Sequence, residues 1–180
     1  MNRAVQLVLL LAIALPSLSC IAMTAKVRVG PTVDFEGNAT AQADLSVGFG
    51  YALSTDAAIT GSIGVGPSSD NSIELTDTIE YHQFEEEYGW RAGLRADIGL
   101  LGDKSSGIWG HGALLYPIKQ SRSFGGSEKG FHHSRRSRWS VGFESRLGMI
   151  SRELDDGDRQ QEGAFGAAAT LEWTALSRMR

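Results

Sequence analysis

From Ala43 to Leu53 the chain reads "ADLSVGFGYAL", with apolar and small or polar positions alternating throughout. Ala43, Leu45, Val47, Phe49, Tyr51 and Leu53 share one side; Asp44, Ser46, Gly48, Gly50 and Ala52 share the other. Successive side chains of a strand point to opposite faces, so this stretch predicts a strand with one apolar and one polar face. The same period predicts strands over 27–35, 57–65, 89–100, 139–149 and 165–175. It is clearest at 89–100, where Trp90, Ala92, Leu94, Ala96, Ile98 and Leu100 oppose Gly89, Arg91, Gly93, Arg95, Asp97 and Gly99. A looser strand is predicted over 108–118, because Trp109, His111 and Leu115 fall on its otherwise polar face. Ile73, Leu75, Ile79 and Tyr81 keep an even spacing within 73–88, which reads as an eighth strand or as the rim of a tall hairpin.

Turn formers separate these segments: "EGN" at 36–38, "STD" at 54–56, "PSSDNS" at 67–72, "GDKSSG" at 102–107 and "DDGD" at 155–158. Short strands at regular spacing predict an all-β protein, a sandwich or a barrel. The composition of the polar face then sets the orientation. A soluble barrel would show that face to water and load it with Lys, Glu, Asn and Gln. Here it is mostly glycine, serine and threonine, with single charges of both signs at Arg28, Asp34, Asp44, Arg91, Arg95, Asp97, Glu144, Arg146 and Glu172. Small residues with balanced charges fit a narrow lumen, since an eight-stranded barrel has room for little but side chains. Charges enclosed there must pair or be wetted. The opposite face carries aliphatics, with Phe49, Tyr51, Trp90, Tyr116, Trp139, Phe165 and Trp173 toward strand ends. Trp and Tyr gather at membrane–water boundaries. The expectation is a single closed antiparallel up-and-down β-barrel of about eight strands that shows its apolar face to lipid.

The first residues agree with export. "MNRAVQLVLLLAIALPSLSC" has a basic start, an apolar run from Leu7 to Leu15 and Pro16 behind it. That run is shorter than the roughly 20 residues of a transmembrane helix, and the pattern is that of an export signal. Cleavage after Ala22 gives residues 1–22 as signal and 23–180 as barrel; lipoprotein processing at Cys20 gives 1–19 instead. Cys20 is the single cysteine, so no intrachain disulfide can form. The formal charge of −4 points away from nucleic acid as a partner. Low mean hydropathy does not argue for a soluble protein, because membrane strands alternate.

In these alternating strands, glycine-lined face and paired charges, residues 26–178 resemble the small bacterial outer-membrane barrels of the OmpA/OmpX-like group. The resemblance implies periplasmic transit, insertion by the outer-membrane assembly machinery, contact with outer-membrane lipids and lipopolysaccharide, and an Arg–carboxylate lumen network at positions such as Arg91, Arg95, Glu144 and Glu172. It places the chain in the bacterial outer membrane as a monomer. Two features depart from the group. The chain ends "TALSRMR" with Trp173 as its last aromatic residue, and with eight strands the long 121–137 connection shares the side of the N-terminus.

Candidate chemistry is sparse. "FGGSEKGFHHSRRSR", 124–138, collects Lys129, Arg135, Arg136 and Arg138 with Arg122 nearby, a basic loop that would contact lipid phosphates or anionic headgroups. His132 and Ser134, with Glu144 on the next strand, look like the His-x-Ser plus Glu arrangement of barrel lipid A deacylases, although Arg135 stands where that pattern has Asn. "DDGD" lacks the rest of a calcium loop, and no cofactor or metal is expected. Asn38-Ala39-Thr40 is read as a chance sequon. The leading expectation is a non-enzymatic envelope barrel with a structural, adhesive or partner-binding role. The alternatives are a deacylase-like hydrolase using His132, Ser134 and Glu144, and a soluble periplasmic barrel carrying an apolar ligand.

Overall fold

A computed structural model describes residues 20–101, 105–126, 132–153 and 159–179. Eight strands follow in chain order: β1 (Cys20–Asp34), β2 (Ala39–Ala52), β3 (Ala57–Pro67), β4 (Ile73–Phe84), β5 (Gly89–Leu101), β6 (Ser105–Gly126), β7 (His132–Glu153) and β8 (Arg159–Met179). Each pairs antiparallel with its sequence neighbour, and β8 pairs with β1, so the sheet closes into a barrel. Segment 73–88 is a strand followed by a turn, which makes the count eight.

Register defines the shape. Stepping across paired residues from Thr24 through Gly48, Ser62, Thr78, Arg95, Trp109, Gly148 and Ala164 returns to β1 at Asp34, ten residues further along. A stagger of this size tilts the strands by about 40° and leaves an interior just wide enough for side chains. Such a tight wall needs glycine where strands bend toward each other. A Cβ on Gly50 would lie 1.9 Å from the Ile59 carbonyl oxygen, and one on Gly93 would lie 2.1 Å from that of Ile79.

One end of the barrel, the turn end, carries the turns at 35–38 and 68–72, the ends of β5 and β7 and the starts of β6 and β8. Gly37 and Asn71 have positive φ in these two turns, which glycine and asparagine tolerate best. The other end, the terminal end, carries Cys20, the turns at 53–56 and 85–88, the end of β6, the start of β7 and Met179. Cys20, Ile21 and Ala22 belong to β1 and pair with Arg178, Ser177 and Leu176. Cleavage after Ala22 would remove these three paired residues, whereas cleavage ahead of Cys20 leaves the strand whole.

The last three strands run longer than their periodicity predicts. Residues 121–137 are largely strand rather than loop: β6 extends to Gly126 and β7 begins at His132. The polar serines and arginines there obscure the alternation, yet Ser121, Arg122, Ser123 and Phe124 pair with Ser137, Arg136, Arg135 and Ser134. The last β5 partner of β6 is Leu115, facing Gly89, so one edge of β6 beyond it is unpaired. Pro117 lies in this stretch, where β5 no longer needs its missing N–H, and a bulge between Pro117 and Lys119 interrupts the ladder with β7 on the other side.

Candidate functional site

The alternation sorts the side chains cleanly. Leu45, Val47, Ile63, Ile79, Leu94, Ile98, Leu147 and Leu171 point outward and are exposed. Among the described residues only Phe84, Trp109, Leu115 and Leu176 are buried large hydrophobics. The interior is polar instead. At mid-barrel it holds five cations, Lys26, Arg28, Arg91, Arg95 and Arg146, against five carboxylates, Asp44, Glu80, Asp97, Glu144 and Glu172, with His82 and His111 between them, while Asp34, Arg136 and Arg138 are buried nearer its ends. The numbers match, so the enclosed charge can neutralise itself.

Arg91 is the hub. Its Nη2 donates to Glu144 Oε2 at 2.6 Å, while Nη1 lies 3.1 Å from Glu80 Oε1 and 3.2 Å from Glu172 Oε2. Three strands, β4, β7 and β8, thereby tie to β5 through one guanidinium, whose planar fork suits several carboxylates at once. Lys26 pairs with Glu80 from β1. Arg28 donates through Nε and Nη2 to Asp44 Oδ1 at 2.9 and 2.8 Å. Arg95 bonds Asp97 at 2.7 Å, Gln42 at 3.0 Å and Asp44 at 3.3 Å. His82 shares 2.9 Å with the Thr60 hydroxyl and lies 3.4 Å from Glu80 and 3.3 Å from Glu172. His111 faces Glu80 and Glu144 at 3.6 and 3.8 Å, too far for direct hydrogen bonds. Arg146 bonds the Thr32 hydroxyl and stacks over Trp109, with its guanidinium carbon 5.1 Å from the ring centroid.

These groups fill the middle of the barrel. A cavity of about 40 Å³ opens at the turn end beside Thr32, Gln42, Asp97 and Trp109. Another of about 50 Å³ lies at the terminal end beside Asp56, Arg122 and Arg136. Each has room for a few waters at most.

Of the charges picked out from the sequence, Arg28, Asp44, Arg91, Arg95, Asp97, Glu144 and Glu172 meet in this network. Arg146 joins it through Trp109 and Thr32. Asp34 stands apart at the turn end, accepting from Asn38 N at 2.8 Å and from Arg152 at 3.0 Å. Periodicity missed four members. Lys26 lies just ahead of the first predicted strand. Glu80 and His82 lie in 73–88, whose alternation is interrupted by Asp77 on the apolar side. His111 sits on β6, where Trp109 and Leu115 make the inward face look apolar. Counting by twos back from Arg28 and on from Thr76 would have reached the first three.

The deacylase-like triad does not assemble. Ser134 and Glu144 are ten residues apart on the same strand, about 33 Å along it. Glu144 is buried against Arg91 in mid-barrel, and the side chains of His132 and His133 lie outside the described residues.

The basic segment also divides. Arg136 donates to the carbonyls of Phe84 and Glu85 at 3.2 and 3.0 Å and pairs with Asp56. Arg138 donates to those of Glu85, Tyr88 and Leu115 at 2.9, 3.2 and 3.3 Å. Both are buried and cap the lumen beneath the β4–β5 turn, so they are corrected from headgroup contacts to structural donors. Arg122 lies 3.4 Å from Glu86, and Arg135 is exposed on the outer face. Lys129 and "DDGD" lie outside the described residues.

The outer wall has its own order. Tyr51, Tyr81, Trp90, Tyr116, Trp139 and Trp173 all point outward near the terminal end of the ring, on β2, β4, β5, β6, β7 and β8. Trp139 and Trp173 are cross-strand partners, and the Trp173 indole donates to Ser137 Oγ at 3.0 Å. Tyr81 and Trp90 rings lie 5.3 Å apart. Above this girdle the wall is mostly aliphatic, with Phe49 and Phe143 among the aliphatics, and Phe35 and Phe165 stand near the other rim.

No protein-family model matches this chain, and no curated protein matches it in sequence. The lumen and wall therefore carry the functional reading by themselves. Among the described residues no group of His, Cys, Asp and Glu has the arrangement of a metal site.

Proposed function

We propose that the chain is an outer-membrane β-barrel with a closed, charge-paired lumen, and that its role in the cell envelope is structural, adhesive or partner-binding rather than catalytic. One observation carries this reading: an outward aliphatic wall, bounded by a Trp/Tyr girdle, surrounds an interior of matched ions. In water this arrangement is inverted, because exposed apolar surface of this extent is costly and the buried charges gain nothing from it. In a bilayer the wall meets hydrocarbon, and ring closure leaves no unpaired edge in the core. A conducting pore is disfavoured by the filling of the lumen. An apolar ligand in a soluble periplasmic barrel would need the space that Arg91 and its partners occupy. Insertion by the outer-membrane assembly machinery and contact of Arg122 and Arg135 with lipopolysaccharide or other anionic headgroups belong to the same proposal.

The test is membrane fractionation followed by gel electrophoresis of boiled and unboiled samples in detergent. The expected result is an outer-membrane band whose mobility shifts on boiling. A soluble protein with no shift, folding in buffer without detergent, would refute the proposal.

A further inference from the structure

One residue contradicts the outer wall. Asp77 lies in the middle of β4, points outward and is exposed. Its cross-strand partners are Ile63 and Ala96, and its neighbours on the same face are Leu75 and Ile79. Among the described residues no hydrogen bond or ion pair reaches it. It stands four residues from Tyr81 in the girdle and four from Ile73 at the turn end, about 13 Å along a tilted strand in either direction. If the wall faces lipid, this carboxyl sits near mid-depth, out of reach of headgroups and water. Polar groups at such depth are costly, and they mark sites that engage a partner.

The wall beside it is low. Ala92 and Ala96 on β5, Gly110 and Gly112 on β6 and Ser145 on β7 face outward at neighbouring register positions. These two glycines differ from Gly50 and Gly93. A Cβ on Gly110 would meet nothing closer than the Leu147 carbonyl oxygen at 3.9 Å, and one on Gly112 nothing closer than that of Arg91 at 3.7 Å. The barrel would accept side chains at both, so its own packing does not require the notch. Beside Gly110 a groove of about 460 Å³ runs from Leu147 and Ile108 past Met149 toward Ser151, Gln161 and Arg159 at the turn end.

We propose that Asp77 and this low strip form a docking surface within the bilayer for a membrane-spanning segment of another protein that carries a lysine or arginine at mid-depth. This rests on the membrane reading above. Charge complementarity selects the occupant. Among the described residues, the cation that borders this strip, Arg159, stands at the start of β8, six residues beyond Phe165 at the rim, so a second copy brings no cation to the depth of Asp77, and a two-fold contact centred there would oppose two carboxyls. Acyl chains offer no donor. A segment with one basic side chain does, and small residues let its backbone approach closely enough for that side chain to reach.

The experiment uses the full chain in phosphatidylcholine vesicles and dansyl-labelled, leucine-rich helical peptides with one central lysine or, as control, a central leucine. Binding is read by energy transfer from the barrel's tryptophans. The lysine peptide should associate at least tenfold more strongly than the control. Asp77→Leu and Asp77→Asn should abolish the difference, and Gly110→Leu should weaken association of the lysine peptide. Equal association of the two peptides, or a preference that survives in Asp77→Leu, overturns the docking surface while leaving the membrane reading intact. Self-association of the barrel that competes the peptide away assigns the strip to a second copy and also overturns it. A chain washed from vesicles at alkaline pH overturns both readings.

Discussion

β7 passes through two environments, and its charges fare differently in each. Within the closed ring, Glu144 and Arg146 are buried, and their partners come from strands across the lumen. Toward the end of the β6–β7 hairpin, where β6 has lost its β5 neighbour, Arg135 is exposed and lines a pocket of about 50 Å³ with Ser134. Between the two, Arg136 and Arg138 are buried only because the β4–β5 turn folds over them and offers carbonyls. The strand itself barely changes: alternation, pairing and serine content continue. Closure supplies the burial. A charge on this scaffold becomes structural where strands surround it and remains a surface charge where they do not.

That contrast can be broken most severely at the hub. Arg91→Leu would leave Glu80, Glu144 and Glu172 enclosed without their main cation, and removing one partner of a buried pair costs about 3–5 kcal/mol. The urea midpoint of the reconstituted barrel should fall accordingly, or the unboiled gel form should disappear. A midpoint within error of wild type would mean the lumen is wet enough to need no pairing.

A smaller effect separates pairing from burial. Arg28→Leu and Asp44→Leu should each destabilise, while the double substitution should recover about 1–3 kcal/mol relative to their sum, because it leaves no orphaned ion from this pair. Additive losses in the same urea titration would show that Arg28 and Asp44 act independently. The smallest change is expected beyond the ring. Arg135→Ala should stay within about 0.5 kcal/mol of wild type, yet reduce association with anionic-lipid vesicles relative to neutral ones. A loss of stability as large as that of Arg91→Leu would erase the distinction between the two parts of β7.

Much of the barrel was legible because period-two alternation is a local property. Arg91, Arg95 and Asp97 announce an inward face by falling on every second position opposite Leu94 and Ile98. Legibility failed where local composition hides the period. Asp77 interrupts the apolar face of β4 and conceals Glu80 and His82; Trp109 and Leu115 disguise the inward face of β6; the serines and arginines of 121–137 resemble a loop. The His132, Ser134 and Glu144 grouping failed for a different reason. Nearness in sequence along a strand is distance in space, since each residue advances the chain by about 3.3 Å.

The sequence by itself determined the all-β class, the two-faced strands and a charge inventory on the inward face that sums close to neutral. These follow from side-chain direction in an extended backbone, which needs no knowledge of neighbours. Only the tertiary structure decided which charges meet. The ten-residue stagger brings Glu80, Glu144 and Glu172, from three strands, onto Arg91, and it leaves Asp77 alone on the outer wall. Register is a property of the closed sheet, and no single strand encodes it.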